Sequence, residues 1–115
     1  MQNQESKLQA ACVGWFRYNH PKYKGVLFSI PNGGKRNVIT AVAMKREGAL
    51  PGVADLMLAV SRHDFHGLFI EMKYGKNKLS AQQEDFKLNV EKHGYKYVCC
   101  YTFDEFEREV NFYLL

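Results

Sequence analysis

The stretch from Gly52 to Tyr74, GVADLMLAVSRHDFHGLFIEMKY, constrains the fold more than any other part of the chain. Two apolar runs flank a polar turn. Asp55 lies near the start of the first run, and Glu71 and Lys73 close the second. A solvent-facing hairpin scatters its charges, whereas these sit at the outer ends, away from the turn. Side chains alternate between the faces of a strand, so Asp55, Met57 and Ala59 share one face of the first strand and Phe69, Glu71 and Lys73 one face of the second. With the turn centred near His63 or Asp64, antiparallel pairing brings Asp55 opposite Glu71 or Lys73. A slip of one residue would turn either set over, so the register decides whether the charges meet. In register, two carboxylates and an ammonium gather at one end of a sheet.

Two adjacent carboxylates repel and are costly together unless a cation neutralises them. Lys73 offsets one charge. A Mg²⁺ ion would offset both, since hard oxygen ligands are what that ion selects. Such an ion acidifies bound water and screens a phosphodiester, and Lys73 is placed to orient or deprotonate an attacking water or to stabilise charge on the phosphate. The plainer reading is a hairpin end with one Asp–Lys ion pair and Glu71 in solvent; an E-x-K triplet is common by chance.

Around the hairpin, helical spacing of Leu8, Ala11, Cys12, Trp15 and Phe16 predicts an amphipathic helix over Gln4–Tyr18, ended at Asn19-His20-Pro21. GVLFSI (Gly25–Ile30) reads as a short strand stopped by Pro31-Asn32-Gly33-Gly34, and Asn37–Glu47 as a second helix with Gly48 as its stop. Ser80-Ala81-Gln82-Gln83 fits a capping box opening a helix that turns Phe86 and Val90 inward and stops at Gly94. YKYVCCY (Tyr95–Tyr101) reads as a buried strand. Thr102-Phe103-Asp104-Glu105 fits a second capping box, opening a helix with the stripe Phe103, Phe106, Val110, Tyr113 and Leu114. The expected order is α, β, α, β-hairpin, α, β, α, within one domain spanning residues 1–115.

Composition narrows the classes without choosing one. The 115 residues carry a net charge of +4 and a pI near 9.0, which mildly favours a polyanionic partner. No apolar run approaches the ~20 residues that span a bilayer, and the N-terminus lacks the pattern of a secretory signal. Three cysteines, two of them adjacent (Cys99 and Cys100), make no disulfide framework and point to a reducing, cytoplasmic setting. His63 and His66 lie together in the turn without enough ligands nearby for zinc.

Weaker signals surround the charged cluster. Glu5 shares a helical face with Leu8 and Cys12, although a first-turn glutamate is also favoured by the helix dipole. Gln83 has its role in the capping box, yet both residues sit at helix N-termini, where a side chain can face the end of a sheet. In PNGGKRN, the backbone N–H groups of Asn32, Gly33 and Gly34 adjoin Lys35 and Arg36, a combination that suits phosphate, although NGG is foremost a turn. Lys22, Lys24, Lys45, Lys76 and Lys78 are further candidates for contact with a DNA backbone, or simply solubilising charges.

Taken together, Glu5 with Leu8-Gln9, IPNGGKRN (Ile30–Asn37), GALPGVADL (Gly48–Leu56), GLFIEMKYG (Gly67–Gly75), LSAQQEDF (Leu79–Phe86) and Gly94-Tyr95 resemble the VRR-NUC family of the PD-(D/E)XK nucleases. The resemblance implies an α/β fold with an αβββαβ core, a mixed central sheet and added helices. It implies Asp55, Glu71 and the backbone carbonyl of Met72 as ligands of Mg²⁺ or Mn²⁺, with Lys73 as catalytic lysine. It matches Gln83 to the family's helix glutamine and Glu5 to its N-terminal-helix glutamate, which binds metal through water. Stand-alone members of bacterial or phage type are similar in length and are associated with homodimers that cut branched DNA such as four-way junctions, with no membrane and no small-molecule cofactor involved. One departure is visible: Ala54 stands where the family usually has proline, which bears on loop rigidity more than on chemistry.

The expected activity is therefore metal-dependent hydrolysis of phosphodiesters in branched DNA. The alternatives are a nuclease acting on flaps or linear DNA, and a non-catalytic DNA-binding or assembly domain of the same fold. No base-reading module is evident in the sequence.

Overall fold

The computed structural model describes residues 3–31 and 38–115. Helix α1 (Gln4–Asn19) is followed by a 3₁₀ turn at Pro21–Tyr23, strand β1 (Leu27–Ser29) and helix α2 (Val38–Arg46). Strands β2 (Leu56–Leu58) and β3 (Leu68–Met72) form the hairpin; α3 (Ala81–Lys92), β4 (Lys96–Cys100) and α4 (Phe103–Tyr113) complete the chain. The αβββαβ order is present, with α2 inserted and α4 appended.

The sheet has the order β1-β2-β3-β4, antiparallel except for the parallel pair β3–β4. A parallel neighbour needs a crossover, and α3 supplies it. The crossover covers one face of the sheet, while α1 and α4 cover the other. On that second face Cys12 and Phe16 of α1 pack with Leu56, Leu58, Leu68, Ile70 and Met72, and with Phe106, Val110 and Tyr113 of α4. On the α3 face, Ala54, Phe69 and Tyr97 are buried against Phe86 and Val90. Burial on both faces explains why all five residues of β3 are buried although a glutamate is among them.

The hairpin pairs Leu56 with Ile70, Met57 with Phe69 and Leu58 with Leu68. Its tip is a tight turn at Arg62–Phe65 in which His63 and Asp64 both take positive φ, 53° and 68°. The first arm is shorter as a strand than its apolar run implies, because only three of its residues join the ladder.

The ends of α3 form as expected. Ser80 and Gln83 make the reciprocal capping box, and Gly94 takes φ 86° just past the helix. The second capping box is half formed. Thr102 accepts from the Glu105 N–H at 3.1 Å, but the Glu105 carboxylate takes the N–H of Tyr101, at 2.6 Å, rather than that of the cap residue. Reaching one residue further back still satisfies a backbone donor at the strand–helix junction. Strand β4 lies at the sheet edge, so within it only Tyr97 and Cys100 are buried, where the apolar run implied burial throughout. Among the described residues no helix is long and apolar enough to cross a membrane.

One glycine fixes the approach to the charged end. Gly52 has φ 95°, and a Cβ there would lie 2.5 Å from the carbonyl oxygen of Gln82. The segment before β2 therefore lies directly on the first turn of α3. That contact sets Asp55 and Gln83 close to one another.

Candidate active site

Continuing the hairpin register by one pair sets Asp55 opposite Glu71, on the α3 face of the sheet. Of the two partners open to Asp55 from sequence, Glu71 is the one the ladder selects. The Asp55 side chain then fixes itself across the strands: its Oδ2 accepts from the backbone N–H of Met72 at 2.8 Å. This bond ties the loop ahead of β2 to the end of β3.

Glu71 is almost wholly buried, at 2 % exposure, yet it is only partly satisfied. Its Oε2 accepts from Gln83 Nε2 at 3.1 Å and faces Lys73 Nζ at 3.7 Å. Its Oε1 is buried without a hydrogen-bond partner. Gln83 spans two roles because its amide has two ends: Oε1 accepts from the Ser80 N–H at 2.8 Å, closing the capping box, while Nε2 reaches the glutamate. The helix cap thus doubles as a clamp on the strand carboxylate.

Burial pushes the Glu71 carboxyl up to about 8, with further increase from the Asp55 charge and from a proton the two carboxyls can share, partly offset by Lys73. Glu5, half-buried at the start of α1, is raised by burial first and then by Asp55, while Lys73 lowers it. The helix therefore brings Glu5 within electrostatic reach of the group, as its shared face with Leu8 and Cys12 implied. Among the described residues no three His, Cys, Asp or Glu side chains converge closely enough to hold one metal ion directly.

The chemistry of the group fits a hard divalent cation bound by two carboxylates, backbone and water. The donors are all oxygen, one buried carboxylate oxygen lacks a partner, and two acids share a single neighbouring ammonium. Asp55, Glu71 and the Met72 carbonyl are the groups that would hold such an ion.

A family model described as the VRR-NUC domain matches residues 1–104. The chain belongs to the VRR-NUC family. A solved structure titled "VRR_NUC domain protein" superposes with a TM-score of 0.81 over 99 % of this chain and 90 % of its own, at 24 % identity, which establishes a shared fold. No curated protein sequence matches the chain. Membership makes this a nuclease-type, DNA-processing domain.

Other positions expected to act in this VRR-NUC domain are distributed unevenly. Lys76 and Lys78 are exposed on the segment leading from Lys73 to α3. Tyr101 donates its hydroxyl to the Asn77 carbonyl at 2.7 Å, which anchors that segment between them. Asn32, Gly33, Gly34, Lys35 and Arg36 lie outside the described residues. Ala54, at the family's proline position, is fully buried with Phe69 and Tyr97, so packing holds the loop where a proline ring would stiffen it.

Sequence reasoning missed Tyr97. Its hydroxyl is buried with no partner, and burial, followed by the charge of Glu71, holds it far above the ordinary range of a phenol. Alternation in β4, with Cys99 paired to Glu71, was the signal that placed Tyr97 on the same face.

Glu71 generates a pH dependence with a definite sign. Unfolded, it titrates near 4.5; folded, near 8. Between those values the folded protein holds the extra proton, so metal-free stability falls as pH rises from about 4.5 to 8. Urea unfolding in the presence of chelator is expected to show a loss of roughly 1.4 kcal/mol per pH unit through the middle of that window. In Glu71→Gln the slope should flatten; an equal slope in both proteins would refute the assignment.

Proposed function

We propose that this chain is a divalent-metal-dependent endonuclease, using Mg²⁺ or Mn²⁺, that hydrolyses phosphodiesters in branched DNA such as four-way junctions. The observation that carries the reading is the buried, partly unsatisfied Glu71 facing Asp55 beside Lys73. A structural ion pair satisfies its atoms, whereas this arrangement leaves a carboxylate oxygen unpaired in a dry site. Family membership supplies the nuclease class.

A divalent cation held by Asp55, Glu71 and the Met72 carbonyl would neutralise the paired acids and the phosphodiester and acidify a water. The protein's own groups do the rest. Asp55, gripped through the Met72 N–H, and Glu71, gripped by Gln83, arrive with their geometry already fixed. Lys73, mostly buried beside Glu71, orients the attacking water and stabilises charge on the phosphate. Glu5 holds an outer water. Attack of the water on phosphorus forms one P–O bond and breaks another; the water gives up a proton to solvent and the departing oxygen takes one from it.

Asp55→Asn and Lys73→Ala are the informative variants. On labelled four-way junctions with Mg²⁺ each should lose at least about 100-fold in cutting rate, roughly the loss of one oriented electrostatic contact, while gel-shift binding persists. A wild type that cuts no branched, flapped or linear DNA with Mg²⁺ or Mn²⁺ would leave only the binding-domain reading. Cutting confined to flaps or linear ends would move the substrate assignment.

The reading includes a homodimer, because a junction has two-fold pseudo-symmetry and two centres can address two strands. The C-terminal stripe is used within the chain: Phe106, Val110 and Tyr113 are fully buried in its own core. Helix α2 offers the better surface. None of its residues is buried, and Val38, Ile39 and Val42 are 77 %, 82 % and 48 % exposed. An apolar helix left in water favours a partner of the same kind. By sedimentation the wild type should run as a dimer and Ile39→Glu as a monomer; the same mass for both would exclude α2 from the interface.

A further inference from the structure

Among the described residues two buried side-chain atoms able to hydrogen-bond have no partner: Glu71 Oε1 and the hydroxyl oxygen of Tyr97. Buried polar groups are bonded as a rule, and each exception calls for a reason. The exception at Glu71 belongs to the cation site. That at Tyr97 serves no step of the proposed hydrolysis, and it is the more telling for being avoidable. A phenylalanine would fill the same place with no polar atom to strand.

The two atoms belong to one neighbourhood. Strands β3 and β4 run parallel, with Phe69 paired to Tyr97 and Glu71 to Cys99. Alternation puts all four side chains on the α3 face. Tyr97 is there the diagonal neighbour of Glu71, a separation that long and aromatic side chains span. Rings pack the body of Tyr97: Phe86 is 6.4 Å away between centroids, and Phe86 in turn is 5.1 Å from Phe69. Acids act on its polar end. Burial is the first cause that raises the hydroxyl, followed by Glu71, Cys99, Asp55 and Glu84. Burial thus keeps the phenol protonated, a neutral donor rather than an anionic ligand. The Cys99 thiol does not compete for it, being bonded to Tyr101.

A donor is what Glu71 lacks. Gln83 Nε2 at 3.1 Å and Lys73 Nζ at 3.7 Å both address Oε2. Rotation of a glutamate carboxylate about its last bond is broad, so clamping one oxygen leaves the plane of the group loosely set. A donor on the other oxygen fixes that plane. An oxygen with two lone pairs can accept the donor and still face a cation. Tyr97 and Glu71 are not bonded to each other directly, and a buried water needs two to four polar partners, of which they supply two. We infer that Tyr97 is a positioning residue: its hydroxyl donates to one buried water, that water donates to Glu71 Oε1, and the bridge sets the plane in which the carboxylate meets a divalent cation. This deepens the cation-site reading above and rests on it for what the carboxylate is aimed at.

The test compares Tyr97→Phe, which keeps the ring and drops the hydroxyl, with Phe86→Leu, which loosens the same aromatic packing and leaves the hydroxyl in place. In calorimetric titration with Mn²⁺, Tyr97→Phe should bind at least about 10-fold more weakly than wild type, the usual effect of losing a group that orients a metal ligand. Phe86→Leu should melt several degrees lower from lost packing, while binding Mn²⁺ within about 2-fold of wild type. Cutting of labelled junctions should show the same split. Tyr97→Phe should need about 10-fold more Mn²⁺ for half-maximal rate, with the rate at saturating Mn²⁺ and the KM for DNA within about 3-fold of wild type. In chelator the bridge is read without any cation: Tyr97→Phe should melt roughly 3 °C below wild type, as loss of one hydrogen bond implies. A melting temperature equal to or above that of wild type would mark a hydroxyl without a partner and overturn the inference. So would wild-type Mn²⁺ affinity in Tyr97→Phe, equal losses of affinity in the two variants, or a lower saturated rate with an unchanged Mn²⁺ requirement. A wild type that binds no Mn²⁺ would remove the cation reading, and the melt in chelator would still decide the bridge. A wild type that binds Mn²⁺ no better than Tyr97→Phe would remove the role of Tyr97 alone.

Discussion

The structure depends on one opposition: Asp55 and Glu71 face each other across the ends of two strands, in a place dry enough to make the charge of Glu71 expensive. Left to itself the pair repels, and the fold answers by surrounding it with donors. The Met72 amide takes one oxygen of Asp55, Gln83 and Lys73 take one oxygen of Glu71, and the other oxygen of Glu71 is left unpaired. Three neighbours supply a single positive charge to two acids. A further cation is the natural complement of what remains.

The rest of the architecture keeps that end of the sheet in place. Parallel pairing of β3 with β4 requires the α3 crossover, and the crossover delivers Gln83 through its own helix cap. The close contact of Gly52 with Gln82 fastens the approach to Asp55 against the same turn. Helix α1, held by Cys12 and Phe16 on the opposite layer, extends its first turn past the sheet and carries Glu5 toward the group. Stability and chemistry share these contacts, so the cap, the crossover and the hairpin cannot be altered independently of the site.

Much of this was legible in the sequence, because the hairpin carries its register in its charges. Alternation put Asp55 and Glu71 on matching faces, and a turn centred at His63 was enough to align them. Helix starts at Ala81 and Phe103 followed from their caps, and the start at Gln4 from the helical spacing of its apolar residues. What could not be read were the relations between elements distant in sequence. The amide of Gln83 reaching Glu71, the Asp55 bond to the Met72 N–H and the unpaired hydroxyl of Tyr97 arise only once α3 and β4 lie against β3. The half-formed box at Thr102 failed for a local reason: a glutamate can reach the residue before the cap as readily as the cap itself. Exposure of the apolar face of α2 was also hidden, since composition gives a helix without giving what it packs against.

The most direct measurement is calorimetric titration of the chelator-treated protein with Mn²⁺, paired with its melting temperature. A cation that binds only the folded state stabilises it by mass action, about 2.7 kcal/mol at one hundred times the dissociation constant. Wild type should show saturable binding with a matching rise in melting temperature, and Glu71→Ala should show neither. Identical binding and identical shifts in the two proteins, or none in wild type, would contradict the account of Asp55 and Glu71 as a cation site.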